Sequence, residues 1–205
     1  MINMLIKSYE KKANGLYKVY IDDDNYLISE EVIIKYKLLY KKEISLEELE
    51  NILNETNYYD IYNKCIKYIS YRIRSKYEII NYLNKFKLDY STIENIIEKL
   101  EENNLINDEI FAKAFINDKI NFTTSGPYKI KLELMKHNID KNIIDTYLNN
   151  IDKELIYNKI SKIVEKNLKN KKYTKSVLKN KIYKTLINNG YYNEDIMYVL
   201  NSYDF

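Results

Sequence analysis

Residues 75–100 read SKYEIINYLNKFKLDYSTIENIIEKL. Ile79 and Leu83 are four apart, as are Ile93 and Ile97, so each pair shares one face of a helix. Ser75 stands three residues before Glu78, and Ser91 three before Glu94. Both spacings suit a capping box, in which the hydroxyl accepts from an amide of the first turn and the carboxylate reaches back. The stretch therefore reads as two short amphipathic helices joined by a turn around Leu88.

The pattern recurs. Ile79, Leu83, Leu88, Ile93 and Ile97 are matched 103 residues later by Ile182, Leu186, Tyr191, Ile196 and Leu200. Midway lie Ile130, Leu134, Ile139 and Ile143, the last one residue short of the same offset. A period of 51–52 residues holds three helices. Units of this kind stack through neighbouring faces and build an elongated rod.

Further helix starts support the count. Ser45 with Glu48 forms another capping box, opening a helix through about Leu53. Asn107 before Asp108-Glu109, Pro127 after Ser125-Gly126, Asp140 and Asn193 are all N-terminal signals. Starts are expected near 29, 45, 57, 75, 91, 107, 127, 140, 152, 176 and 193. Before Ser29 the pattern differs. Ile2–Ile6 is apolar, Tyr17, Val19 and Ile21 alternate with Lys18 and Tyr20, and Asp22–Asn25 precedes Tyr26-Leu27-Ile28. That predicts a β-hairpin, covered by a third strand near Ile2–Lys7 or by a helix. The expected fold is mainly α: tandem three-helix repeats with a small N-terminal β-hairpin extension. The expected divisions are 1–55 (hairpin and linking helices), then repeats at 56–103, 104–150 and 151–205.

Composition sets limits. The chain has 205 residues, 45% hydrophobic, with only 3 Gly and 1 Pro, too few for a many-turned β-sandwich. The single Cys forbids an internal disulfide. No apolar run reaches the roughly 18 residues of a membrane span, and no signal peptide is visible. A cytoplasmic protein is expected. Net charge is +3 but uneven: residues 1–60 hold 8 Lys against 12 acids, and residues 152–189 hold 11 Lys against 3 acids. The basic C-terminal third suits nucleic acid, an acidic protein surface, or simply a solvated helix face.

Catalytic chemistry finds little support. His137 is the only His and lies at a Lys-rich helix end; Cys65 sits at core spacing on a helix. Two such residues cannot make a zinc cluster. The expectation is no enzyme, no cofactor and no metal. The 23 Tyr are spread along the chain, so stacking platforms for single strands are not singled out.

Two segments carry a more specific pattern. The only arginines, Arg72 and Arg74, stand two apart in Tyr71-Arg72-Ile73-Arg74-Ser75-Lys76-Tyr77-Glu78-Ile79. In a Lys-rich chain this asks for bidentate recognition or a packed structural pair. The second segment is Leu105-Ile106-Asn107-Asp108-Glu109-Ile110-Phe111-Ala112, then Gly126-Pro127-Tyr128-Lys129-Ile130, then Glu133-Leu134. In order and spacing these resemble the RecX family of recombinase regulators, with its R-x-R-S-x-x-E-L, L-I-(N/D)-D-x-x-(F/Y)-A and G-x-x-(R/K)-I-x-x-E-L stretches. The resemblance covers about residues 60–150 well and the third repeat more loosely. Lys119 and Lys129 stand where the family often has Arg, and Ile79 where Leu is usual.

The resemblance implies a protein that binds RecA filaments on DNA, lies along their groove and inhibits ATPase, strand exchange and co-protease functions, or blocks filament growth. It implies a monomer that meets the RecA filament and single- or double-stranded DNA, with no membrane. Partner contacts would fall on Arg72, Arg74, Lys76, Lys113, Lys119, Lys129, Lys131 and Lys136. Glu78 and Asp108 would cap helices, Phe111 and Ala112 would be core, and Gly126 would permit a turn. Two rivals stay open: a helical DNA-binding protein acting without RecA, and a repeat scaffold for an unrelated partner.

Overall fold

A computed structural model describes residues 3–169 and 174–205. Ile2 of the expected first strand, and Lys171 and Lys172 of the basic stretch, lie outside them. The chain forms two compact units. The first is residues 1–72 with 79–105; the second is residues 73–78 with 106–205.

The first unit opens with a four-stranded antiparallel sheet of order β3-β2-β1-β4. The strands are β1 (Asn3–Lys11), β2 (Leu16–Ile21), β3 (Asp24–Ser29) and β4 (Glu43–Ser45). The expected hairpin is β2–β3, with Ile21 opposite Asp24. Its turn needs a left-handed residue, and Asp22 supplies it with φ +46°. A short polar side chain tolerates that region better than most. The expected third strand is β1. The fourth strand corrects the expectation that everything after Ser29 is helical. Three residues are too few to show an alternation, and β4 is held by pairing Asn3–Leu5 against Glu43–Ser45.

One sheet face packs on helices α1 (Glu30–Lys35) and α2 (Leu46–Ser70). Ile6, Val19, Ile21 and Ile28 meet Val32, Ile33, Leu38, Ile44, Leu49 and Ile52 in a single core. Ser45 caps α2 by accepting from the Glu48 amide. That helix then runs unbroken for 25 residues, so the separate helix expected from residue 57 does not exist. No Gly or Pro interrupts residues 46–70, and nothing in the pattern demands a stop. Helix α3 (Lys76–Leu83) and α4 (Tyr90–Glu102) follow. Asp89 rather than Ser91 caps α4: its carboxylate accepts from the Thr92 amide and both hydroxyls of Ser91 and Thr92. Those bonds hold its carboxyl well below the usual carboxylate range. An ionised acceptor outcompetes a hydroxyl for the same amide.

The second unit holds α5 (Asp108–Phe122), α6 (Pro127–Lys136), α7 (Lys141–Asn149), α8 (Lys153–Leu168), α9 (Lys175–Asn188) and α10 (Asn193–Leu200). Asn107, Asp140 and Asp152 cap α5, α7 and α8 through side-chain oxygens. Asn193 does not cap α10; it is the helix's first residue and accepts from the Tyr183 hydroxyl. One continuous core runs from Phe111 to Leu200.

Burial sharpens the repeat. Ile79 and Leu83, Ile130 and Leu134, and Ile182 and Leu186 are all fully buried. In the middle unit the buried pair on α7 is Ile144 and Leu148, not Ile143. That restores an unbroken offset of 51 residues from Ile93 and Ile97, and of 52 to Ile196 and Leu200, with Ile93 half-buried and the other five buried. The turn repeats as well. Lys87, Asn138 and Gly190, at the same offsets, all hold positive φ of 55°, 56° and 86°. A left-handed residue ends each middle helix and frees the chain to re-enter at a new angle.

Candidate partner-binding surface

The motif residues first do structural work. Ser75 accepts from the Glu78 amide, and Glu78 accepts from the Ser75 amide, a complete capping box. Ser75 is fully buried. Asp108 does not cap its own helix, which Asn107 serves; its Oδ1 accepts from the Lys76 amide at 2.7 Å. An acid at the start of α5 thus serves an orphan amide of α3. This ties the arginine segment to the Asn-Asp segment. Phe111 and Ala112 are buried core, as expected.

Gly126 departs from its expected role. Its φ is −88°, open to any residue, so no turn demands Gly. The reason is close approach. A Cβ placed there would lie 2.6 Å from the carbonyl carbon and oxygen of Gly190 and the amide nitrogen of Tyr191. The Gly126 amide donates to Asn189 O at 2.7 Å and the Tyr128 amide to Gly190 O at 2.9 Å. The positive end of α6 is therefore seated on the turn that closes α9.

The eight expected contact residues separate by environment. Arg74 is largely enclosed, its side chain 12% exposed, 3.8 Å from Glu78. Of the two readings of the arginine pair, Arg74 fits the packed structural one. Lys119 pairs with Glu133 at 2.5 Å and lies 5.0 Å over the Phe115 ring. Lys131 pairs with Asp145, which raises its pKa through a hydrogen bond. Lys76 is half-buried. Arg72, Lys113, Lys129 and Lys136 are exposed. Among the described residues, Lys113, Lys129 and Lys136 have no carboxylate partner.

Lys129 and Lys136 stand seven apart on α6, on the side away from buried Ile130 and Leu134. Tyr128, Leu132 and Met135 share that exposed side, Leu132 42% and Met135 52% exposed. Apolar rings and thioethers between ammonium groups make a surface suited to an acidic partner with an apolar contact. The sequence reading fixed on the lysines and missed Tyr128, Leu132 and Met135. The signal was present, since 128, 132 and 135 follow helical spacing outside the core stripe.

The two side chains weighed for catalysis are both engaged in packing. Cys65 is fully buried, and burial pushes its thiol up to about 12, far from a reactive thiolate. His137 packs its ring against Phe111 and Phe115 at 5.1 and 5.5 Å. Among the described residues no three metal-ligating side chains cluster, and no helix is long and apolar enough to cross a membrane.

The fold defines a helical-repeat protein: helices in three-helix sets that follow a small N-terminal sheet in sequence, with exposed lysines on α6. Comparison with known proteins gives the family. The description "RecX, first three-helix domain" matches residues 62–100 and "RecX, second three-helix domain" matches residues 107–148. The regulatory protein RecX of Lactococcus lactis subsp. lactis (strain IL1403) is 34% identical over 189 residues, spanning 88% of this chain and 70% of that protein. That of Listeria monocytogenes serotype 4a (strain HCC23) is 32% identical, over 91% of this chain and 70% of its own length. A crystal structure of regulatory protein RecX superposes with a TM-score of 0.83 at 22% identity, over 97% of this chain and all of the other. RecX from Lactobacillus salivarius gives 0.67 at 28% identity, over 70% and 94%. The chain belongs to the RecX family of regulatory proteins.

Proposed function

We propose that this protein binds RecA filaments assembled on DNA and restrains their ATPase, strand-exchange and co-protease activities. The observation that carries the reading is 34% identity to a regulatory protein RecX across 88% of the chain. Lys113, Lys129 and Lys136, exposed and without a carboxylate partner among the described residues, support it, and the exposed Arg72 is a further proposed contact. Lys119, Lys131 and Arg74 act one step removed, positioning α3, α5, α6 and α7 through their ion pairs. We place the protein in the cytoplasm as a monomer and assign it no catalytic role.

The mechanism is a shift of population. A ligand that binds one arrangement of neighbouring protomers more tightly than another stabilises that arrangement. It thereby opposes the movements that ATP turnover requires. Lysines at the contact steer encounter and make it salt-sensitive. The test is RecA ATPase on single-stranded DNA, with this protein titrated at two salt concentrations. The expected result is inhibition well below one molecule per RecA protomer, weaker at the higher salt. Unchanged ATPase together with tight binding to bare DNA would replace this reading with a DNA-binding protein that acts without RecA.

A further inference from the structure

A second cationic surface lies apart from the exposed face of α6. Two adjoining cavities of about 380 and 340 Å³ run between α5 and α8 and share Ile120, Asn121 and Leu155. Their floor is apolar, formed by Ile116, Ile120, Leu155 and Ile163. Lys113 stands at one end, and Lys162 and Lys166 at the other. None of the three has a carboxylate partner among the described residues. Asn117 and Asn121 line the α5 side, and among the described residues neither side chain makes a hydrogen bond.

Lys159 completes the charge. Its ammonium spans the carbonyls of Ile120 and Thr123, the latter at 2.8 Å, and so closes the C-terminal end of α5. Burial and the neighbouring Lys162 hold its pKa below the usual lysine value. The one acid in the lining, Asp152, is committed to capping α8 by accepting from the Glu154 amide. The groove therefore concentrates the positive charge of Lys113, Lys159, Lys162 and Lys166 over an apolar floor, against the single carboxylate of Asp152 in its described lining.

We propose that this groove docks an extended, acidic peptide segment of a partner protein, carrying apolar side chains at alternate positions. The spacing matches such a segment. Asn117 and Asn121 are four residues apart on a helix, a rise of about 6 Å. Alternate residues of an extended chain repeat every 6.6–6.8 Å or so, and their amide and carbonyl groups suit a side-chain amide ladder. Lys162 and Lys166 repeat at the same rise and face the carboxylates between the apolar anchors. From Lys113 to Thr123 the groove measures about 15 Å along α5, enough for four or five extended residues. Nucleic acid fits less well. A phosphate backbone would leave the isoleucine floor uncovered; the one aromatic ring in the described lining, Tyr147 at the Lys113 end, has its hydroxyl bonded to Glu109, and none lines the Lys162–Lys166 end for a base to stack on.

The test uses the full chain and no recombinase, so it stands or falls separately from the filament reading. Fluorescence anisotropy is measured with a labelled peptide of about eight residues alternating Glu and Leu. A Lys-Leu peptide and an oligothymidylate are measured in parallel. Binding of the Glu-Leu peptide is expected, with K162E/K166E weakening it about tenfold or more and N117A/N121A severalfold. Lys129 and Lys136 changed to Glu should leave it within about twofold. Thermal unfolding of each variant confirms the fold. No peptide binding, equal binding to the Lys-Leu peptide, or indifference to K162E/K166E would overturn the proposal. Loss of oligothymidylate binding in K162E/K166E, with the peptide failing to compete, would assign the groove to nucleic acid instead.

Discussion

Replacing Gly126 with Ala isolates a steric contact that helix propensity alone would not predict. The backbone at Gly126 is unstrained for any residue, and the only obstacle is the added methyl. To move from 2.6 Å to ordinary contact at 3.4 Å, the two chains must part by about 0.8 Å. The atoms in the way are backbone, so no side chain can swing aside. That separation takes the bonds from Gly126 to Asn189 and from Tyr128 to Gly190 to the edge of hydrogen-bond range. Overpacking costs about 1–3 kcal/mol and two weakened backbone bonds about 1 kcal/mol more, giving a loss of roughly 2–4 kcal/mol in the second unit. Urea unfolding followed by circular dichroism reads the midpoint, and hydrogen exchange reads the amides of residues 126 and 128. Gly15→Ala is the control. Its φ of +71° carries a torsional cost of about 1 kcal/mol, but the nearest atom to its Cβ would be 3.8 Å away. If Gly126→Ala unfolds at the wild-type midpoint, or its two amides keep wild-type protection, the close-approach argument is wrong.

Other substitutions probe separate points. Tyr191→Phe should stabilise the second unit by about 1 kcal/mol, because the buried hydroxyl has no hydrogen-bond partner among the described residues. Burial pushes the Tyr191 phenol up to about 12 from an ordinary value of 10.0. Its folded pKa is raised, so its share of stability is present below pH 10 and lost as pH climbs towards 12; the Phe variant should lack that part of the alkaline decline in thermal scans. Asp89→Ala should lower the melting midpoint of the first unit more than Ser91→Ala, since the carboxylate holds the Thr92 amide and both hydroxyls; equal effects would return the cap to Ser91. Lys87→Gly should raise stability by up to about 1 kcal/mol by relieving a left-handed lysine, read by urea midpoint. For the filament contact, reversing Lys129 and Lys136 to Glu should weaken inhibition of RecA ATPase about tenfold or more with the unfolding midpoint unchanged. Preserved inhibition would move the contact elsewhere.

The sequence alone determined the helical repeat and the family. Isoleucines and leucines at 79, 83 and 97 recur because each set of three helices buries the same stripe of its own, and caps at Ser45, Ser75, Asn107 and Asp140 are local chemistry. Local rules also located the β2–β3 hairpin. They could not choose between Ser91 and Asp89, or between one helix over 46–70 and a stop near Leu53 with a new start near 57, because each competing choice satisfies the same short-range pattern. Tertiary structure decided the rest. Only pairing with β1 makes a strand of Glu43–Ser45. Only the approach of Gly190 explains Gly126, and only the arrival of α5 gives Asp108 the amide of Lys76. Lysines look alike in a sequence. Which of them spend their charge on Glu133 or Asp145, and which stay without a carboxylate among the described residues, depends on residues 14 positions away being folded within reach.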